Sequence, residues 1–249
     1  MPELPEAERA RQQIDRALGR EIVAVDDTDT YVCRPHAPGE IAAALVGRRL
    51  TAAHRRGKFL WVETGDGGPD LGLHLGMAGR ISVDEEPVER WDRFVLEFAD
   101  GGRLALRDKR RLGRAVIEPD FSHVGPDAAE VGRDMFRARV GRGTLALKAK
   151  LLDQSAIAGV GNLLADETLW RARLSPRRVA GELTTEELDH LRRQLRAATR
   201  DAIREGGVHT GRFVPARVRG GTCPRCGTEL ERATIGGRTT YWCPRCQPG

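Results

Sequence analysis

Two groups of residues in this chain have types and spacings that could do chemistry. In the first, Pro2 stands beside Glu3 and Glu6. Freed of the initiator Met, a second-position Pro presents a secondary amine. A terminal amine has a pKa of about 8, against about 10.4 for a lysine side chain, so it is a usable nucleophile near neutral pH. Such an amine can attack an electrophilic carbon and form an imine, with Glu3 and Glu6 as candidates for proton transfer at close range. The same string read without chemistry is a helix start, because Pro and acidic residues both favour the first turn. In the second group, Cys223-Pro-Arg-Cys226 and Cys243-Pro-Arg-Cys246 form two C-x-x-C pairs with 16 residues between them. That spacing suits a four-thiolate zinc ribbon, where the metal has a folding role. Two disulfides are the alternative, disfavoured because no secretory leader precedes the first helix. Cys33 is left over and is expected in a strand.

These groups must be carried by elements that the hydrophobic pattern predicts. Leu4, Ala7, Ala10, Ile14, Ala17 and Leu18 recur at three- and four-residue steps and Gly19 closes the run, which predicts one amphipathic helix over 3–18. Short period-two runs follow at 22–25, 50–53, 59–62, 71–75, 80–83, 94–98 and 104–106, with Asp100-Gly101-Gly102 as a hairpin turn and a short helix at 40–46. Many short strands with frequent turns predict a β-sandwich with the first helix packed along it. Helical periodicity returns after Asp127, with helices expected over 144–153, 162–173 and 184–204, the first two joined by Ala158-Gly159-Val160-Gly161. The expected fold is therefore α+β in two lobes. Residues 1–113 make the helix and sandwich, 114–214 a helical lobe, and 215–249 a zinc ribbon.

The formal net charge of +5 is unevenly spread. Residues 171–249 hold 16 Arg, no Lys and 8 acids, while the rest of the chain is slightly acidic. The carboxy-terminal third is thus expected to face a polyanion, a solvated basic surface being the alternative. No run approaches the 18 or so apolar residues of a membrane span. A cytoplasmic protein without a membrane partner is expected.

The opening Pro2-Glu3-Leu4-Pro5-Glu6-Ala7-Glu8 resembles the P-E-L-P-E-V-E amino terminus of the formamidopyrimidine-DNA glycosylase and endonuclease VIII family, with Ala7 for the usual Val. Further motifs follow in that family's order, from Arg55-Arg56-Gly57-Lys58-Phe59 through His74-Leu75-Gly76-Met77-Ala78-Gly79 to Asp108-Lys109-Arg110-Arg111-Leu112-Gly113. The helical hairpin 147–170 is similar to its helix-two-turn-helix, and Gly237-Arg238-Thr239-Thr240-Tyr241 to the tip of its zinc hairpin. The resemblance implies that Lys58 reaches the lesion and its phosphate, and that Met77, Arg111 and Leu112 fill the space of a flipped nucleotide. It also implies that Lys148, Asn162 and Arg238 hold phosphates, and that Glu167, counted with the DNA-binding set, orients the backbone of the active site. His74 receives no chemical role. Two departures stand out. Leu112 replaces an aromatic wedge, and residues 205–222 are too short for the loop that covers 8-oxoguanine in the formamidopyrimidine branch.

By this resemblance the chain is expected to be a monomeric repair enzyme acting on double-stranded DNA with a lesion or abasic site, a DNA glycosylase with lyase activity. Pro2 would attack the sugar, Glu3 would protonate its ring oxygen, and one structural zinc would sit on Cys223, Cys226, Cys243 and Cys246. The competing readings are a DNA-damage binding protein without chemistry, and a glycosylase of the same scaffold for alkylated or crosslinked bases.

Overall fold

The computed structural model describes residues 2–249. The chain divides into two compact units, one of Pro2 with Ala7–Ser122 and one of Glu3–Glu6 with His123–Gly249.

The first unit contains two four-stranded antiparallel sheets. One has the order β1 (Ile22–Asp26), β6 (Asp92–Phe98), β7 (Arg103–Arg107), β5 (Arg80–Val83). The other runs β2 (Leu50–Arg56), β3 (Phe59–Thr64), β4 (Leu71–His74), β8 (Arg114–Ile117). Leu60, Val62 and Leu73 of one sheet share a single core with Ile22, Phe94, Leu96 and Leu104 of the other, and with Ala10 and Ile14 of α1 (Leu4–Ile14). The sandwich and its leading helix therefore follow the period-two and helical patterns. Arg56 pairs with Phe59, so Gly57 and Lys58 form a two-residue hairpin loop, and Gly57 takes the positive φ of 64° that such a loop requires. α2 (Glu40–Leu45) matches the expected short helix. Cys33 is buried outside any strand, and burial pushes its thiol up to about 12.

The second unit has four helices: α3 (Arg133–Val140), α4 (Leu147–Leu152), α5 (Asn162–Ala172) and α6 (Thr185–Glu205). A hairpin of β9 (Glu231–Ile235) and β10 (Arg238–Trp242) follows. Thr184 and Glu187 close a reciprocal capping box on α6, and Gly206 ends that helix at a φ of 111°. Among the described residues no helix is long and apolar enough to cross a membrane.

Three boundaries differ from the sequence expectation. The first unit does not end at 113, because Arg114–Ile117 pairs with β4 from His74 back to Leu71. Residues 3–6 belong to the helical unit, although they open the chain. The ribbon is also no separate body. Cys223, Leu230 and Cys243 share an apolar cluster with Trp170 of α5 and Phe213.

Candidate active site and zinc ribbon

Helix α5 begins with backbone N–H groups that have no intrahelical acceptor, and Gly161 at its N-cap supplies no side chain to meet them. Glu3 meets them instead. Its carboxylate accepts from Gly161 N at 3.1 Å, Leu163 N at 2.8 Å and Leu164 N at 3.0 Å, and the residue is 1% exposed. The positive end of the helix and three convergent donors make this a built carboxylate site. Gly161 has to be glycine: a Cβ there would lie 2.3 Å from Glu3 Cδ. Next to it, Leu4 N donates to Gly159 O at 3.0 Å.

Glu6 is engaged by backbone as well. Its Oε2 accepts from Glu3 N at 2.9 Å and its Oε1 from Val208 N at 2.7 Å. Both oxygens hold backbone, so Glu6 straps residues 3–6 to the Val208 peptide. Together these bonds fix the peptide that follows Pro2.

Two of the expected DNA ligands in the helical unit also turn out to be internal. Glu167 is 3% exposed, accepting from Phe213 N at 2.7 Å and from Arg171 Nε at 2.7 Å. Each of its oxygens is thus engaged by a donor of this unit, one of them the Phe213 backbone. Lys148 is fully buried, with Nζ 2.6 Å from Asp166 Oδ1 and 2.7 Å from Asn162 Oδ1. Burial lowers its pKa, opposed chiefly by Asp166. Its Nζ also lies 3.4 Å from Thr239 O, so its three N–H donors face acceptors within this unit. Asn162 is half-buried at the first turn of α5 with its amide oxygen on Lys148, and Arg238 is exposed at the start of β10.

In the first unit the expected probe residues come together. Gly76, at a φ of 58°, packs so closely on the Leu112 backbone that a Cβ would lie 2.4 Å from Leu112 O. Met77, the next residue, is 41% exposed, and Leu112 is half-buried. Asp108, unassigned by the sequence reading, is buried and braces this loop by accepting from Arg110 N, Leu112 N and Gly113 N at 2.9, 2.8 and 2.7 Å. Arg111 holds a positive φ of 55° and makes a two-pronged pair with Asp29. Burial pushes the Asp29 carboxyl up, but Arg111 and the backbone N–H groups of Val32 and Tyr31 outweigh it and hold it below the usual range. Lys58 sits at the hairpin loop, and its charge adds to burial in pushing His74 below its ordinary pKa. His74 Nδ1 accepts from Gly76 N, a structural task.

At the ribbon, all four sulfurs lie within 4.8 Å of one another. Individual separations are 4.0 Å for Cys223 to Cys246, 3.5 Å for Cys226 to Cys243 and 3.4 Å for Cys226 to Cys246. A tetrahedral zinc with Zn–S of about 2.3 Å demands sulfurs about 3.8 Å apart, whereas a disulfide demands about 2.05 Å. The residues fit one zinc ion, and the disulfide alternative is excluded.

An antiparallel sandwich, a helical hairpin entered through glycines and a four-cysteine ribbon, in this order, define the class of helix-two-turn-helix DNA glycosylases. Family models match accordingly: the formamidopyrimidine-DNA glycosylase N-terminal domain over residues 1–115, the H2TH domain of the same enzymes over 124–213, and the zinc finger found in FPG and IleRS over 220–249. A formamidopyrimidine-DNA glycosylase from a Nocardioides species is 38% identical, the match covering 100% of this chain and 95% of that one. Among solved structures, Lactococcus lactis Fpg with abasic-site DNA superposes with a TM-score of 0.85 at 27% identity, covering 99% of this chain and 100% of that one. The wild-type Lactococcus lactis protein with oxidised-pyrimidine DNA gives 0.86 at 28%, covering 100% of both. The chain belongs to the formamidopyrimidine-DNA glycosylase family.

Proposed function

We propose that this chain removes oxidised bases from duplex DNA and then nicks the strand, using Pro2 as the amino-terminal nucleophile. The observation that carries the reading is the seating of Glu3 on the first turn of α5, one peptide bond from Pro2. A base inside a duplex is out of reach, so the nucleotide must be swung out, with Met77, Arg111 and Leu112 occupying the vacancy. The Pro2 nitrogen then bonds to the sugar C1′ as the base departs with the glycosidic electron pair. Glu3, its carboxylate seated among N–H donors, takes the proton that the amine loses and passes it to the ring oxygen as the sugar opens. The resulting iminium acidifies the neighbouring C2′ proton; water takes that proton, the C–H electrons form the C2′–C3′ double bond, the 3′ phosphate leaves with the C3′–O pair, and the freed base takes a proton from solvent. Lys58 and Arg238 serve the phosphates of the lesion strand, and Asn162 donates from the helical hairpin. Zinc contributes folding free energy to the ribbon that carries Arg238.

The lesion preference follows from the connection between α6 and the ribbon. Val208 N is tied to Glu6, Phe213 N to Glu167 and Arg217 to Asp166, so the 206–222 stretch is pinned along its length. It has no slack to cover a flipped purine. The alignment with the Nocardioides relative is 280 positions long although this chain has 249 residues, in keeping with a shortened chain. Lesions that need less enclosure, oxidised pyrimidines and ring-opened purines, are the expected substrates. The test is single-turnover excision and nicking on matched duplexes carrying thymine glycol, a formamidopyrimidine, 8-oxoguanine or no lesion. Cleavage of the first two and not of the last supports the reading, and cleavage of none refutes it.

A further inference from the structure

Asp166 is the buried residue around which the helical unit and the ribbon hairpin meet. Its side chain is 0% exposed and is held between two cations, Lys148 Nζ at 2.6 Å and Arg217 Nε at 2.7 Å. Both cations also reach one carbonyl of the hairpin: Thr239 O accepts from Lys148 Nζ at 3.4 Å and from an Arg217 terminal nitrogen at 3.2 Å. Asp166 Oδ2 in turn accepts from Tyr241 N at 3.3 Å. Two alternate residues of β10 are thereby fastened to α4, α5 and Arg217, and Arg238 is the residue just before the first of them. The hairpin turn presses on α4 as well, since a Cβ on Gly236 would lie 3.0 Å from Ala149 Cα.

We propose that Lys148, Asp166 and Arg217 form a buried charge lock that sets the register of the ribbon hairpin on the helical unit, so that Lys148 is a positioning residue acting through Arg238 and not a phosphate ligand. This rests on the reading of the chain as a DNA-binding enzyme. A buried pair is poor value for stability alone but attested as a device that fixes register. Here two cations face one carboxylate, and the second positive charge is met by Asn162 Oδ1, Thr239 O and the field of Glu3. Removing Lys148 leaves Asp166 and Arg217 as a balanced pair, whereas removing Asp166 leaves two buried cations facing each other. Lys148→Met is therefore the milder variant.

The experiment measures affinity for a duplex carrying an abasic-site analogue, by fluorescence anisotropy over a range of salt, with zinc content and circular dichroism verifying the fold. Each phosphate contact contributes about 0.9 to the slope of log K against log salt. Arg238→Ala is expected to lower that slope by about one contact. Lys148→Met should weaken binding and lower the slope by no more than Arg238→Ala does, and the double variant should match Arg238→Ala alone, because the lock acts only through that arginine. Arg217→Gln, which leaves Lys148 and Asp166 paired, should show the same non-additivity and replaces Lys148→Met if that protein does not fold. Independent losses, with the double variant falling by about two contacts, would mean that Lys148 touches a phosphate itself and overturn the proposal. Wild-type binding in Lys148→Met overturns it too. A wild-type protein with no salt-dependent DNA affinity at all would instead refute the underlying DNA-binding reading.

Discussion

Replacing Glu3 with Gln removes one charge and turns one oxygen into an N–H2 group, and the bonding pattern gives the cost. Oε2 takes two donors, Gly161 N and Leu164 N, and Oε1 takes one, Leu163 N. The best orientation of the amide keeps its oxygen on the pair and points N–H2 at Leu163 N–H, losing that bond. A hydrogen bond to a charged group contributes about 1.5–3 kcal/mol and a neutral one about 0.5–1.5. One bond lost and two weakened sum to about 3.5–6 kcal/mol. Glu3→Gln should therefore unfold the helical unit earlier in guanidinium, read by far-ultraviolet circular dichroism, as well as abolish base excision. Folded Glu3→Gln protein should still bind abasic-analogue DNA. Gly161→Ala should mimic it, since its Cβ would take the place of the Glu3 carboxyl. If Glu3→Gln is as stable as wild type, within about 0.5 kcal/mol, the carboxylate does not cap α5 and the reasoning fails.

Three other outcomes follow from the site. Burial first, and the Lys58 charge second, lower the His74 pKa in the folded protein. Below about 6.5 the unfolded chain then binds the proton that the fold refuses, so stability falls as pH drops through that value towards the lowered one. The advantage of wild type over His74→Gln in urea midpoint should shrink as pH falls from about 7.5 to about 5.5, and an advantage that stays constant contradicts this. Chelation, or Cys226→Ser, should release the zinc, loosen the ribbon around Trp170 and weaken DNA binding while the sandwich stays folded. Active protein with no zinc by metal analysis would refute that expectation. In single-turnover assays 8-oxoguanine opposite cytosine should be excised more slowly than thymine glycol, and equal rates would show that the pinned 206–222 connection does not limit purines.

The sequence carried the elements best where periodicity was long or turn chemistry explicit. The period-two runs became β1 to β7 within a residue or three, and α6 was bracketed by its capping box and Gly206. β8 escaped because four residues after a basic loop carry no periodicity, and its partner β4 lies about 40 positions earlier. The ribbon was the clearest feature, since two C-x-x-C pairs allow few alternatives. Side-chain roles were harder to read. Motif position brought Glu6, Glu167 and Lys148 to notice, but not the backbone groups and carboxylates that occupy them. Those partners, Val208, Phe213 and Asp166, lie far off in sequence or, for Asp166, on a helix turn that reads as ordinary. Asp108 could have been found: an acid opening a loop rich in backbone donors is a standard brace. Asp29 could not, because its pairing with Arg111 spans 82 positions.

The central claim is that the nitrogen of Pro2 becomes covalently joined to the sugar. Incubating the purified protein with abasic-site duplex and borohydride, then digesting and sequencing the adduct by mass spectrometry, measures it directly. The account predicts a stable complex with the deoxyribose remnant on Pro2 and with Met1 absent. An adduct on Lys58 or another lysine, full activity with Met1 retained, or no adduct from protein that nicks the same DNA would contradict it.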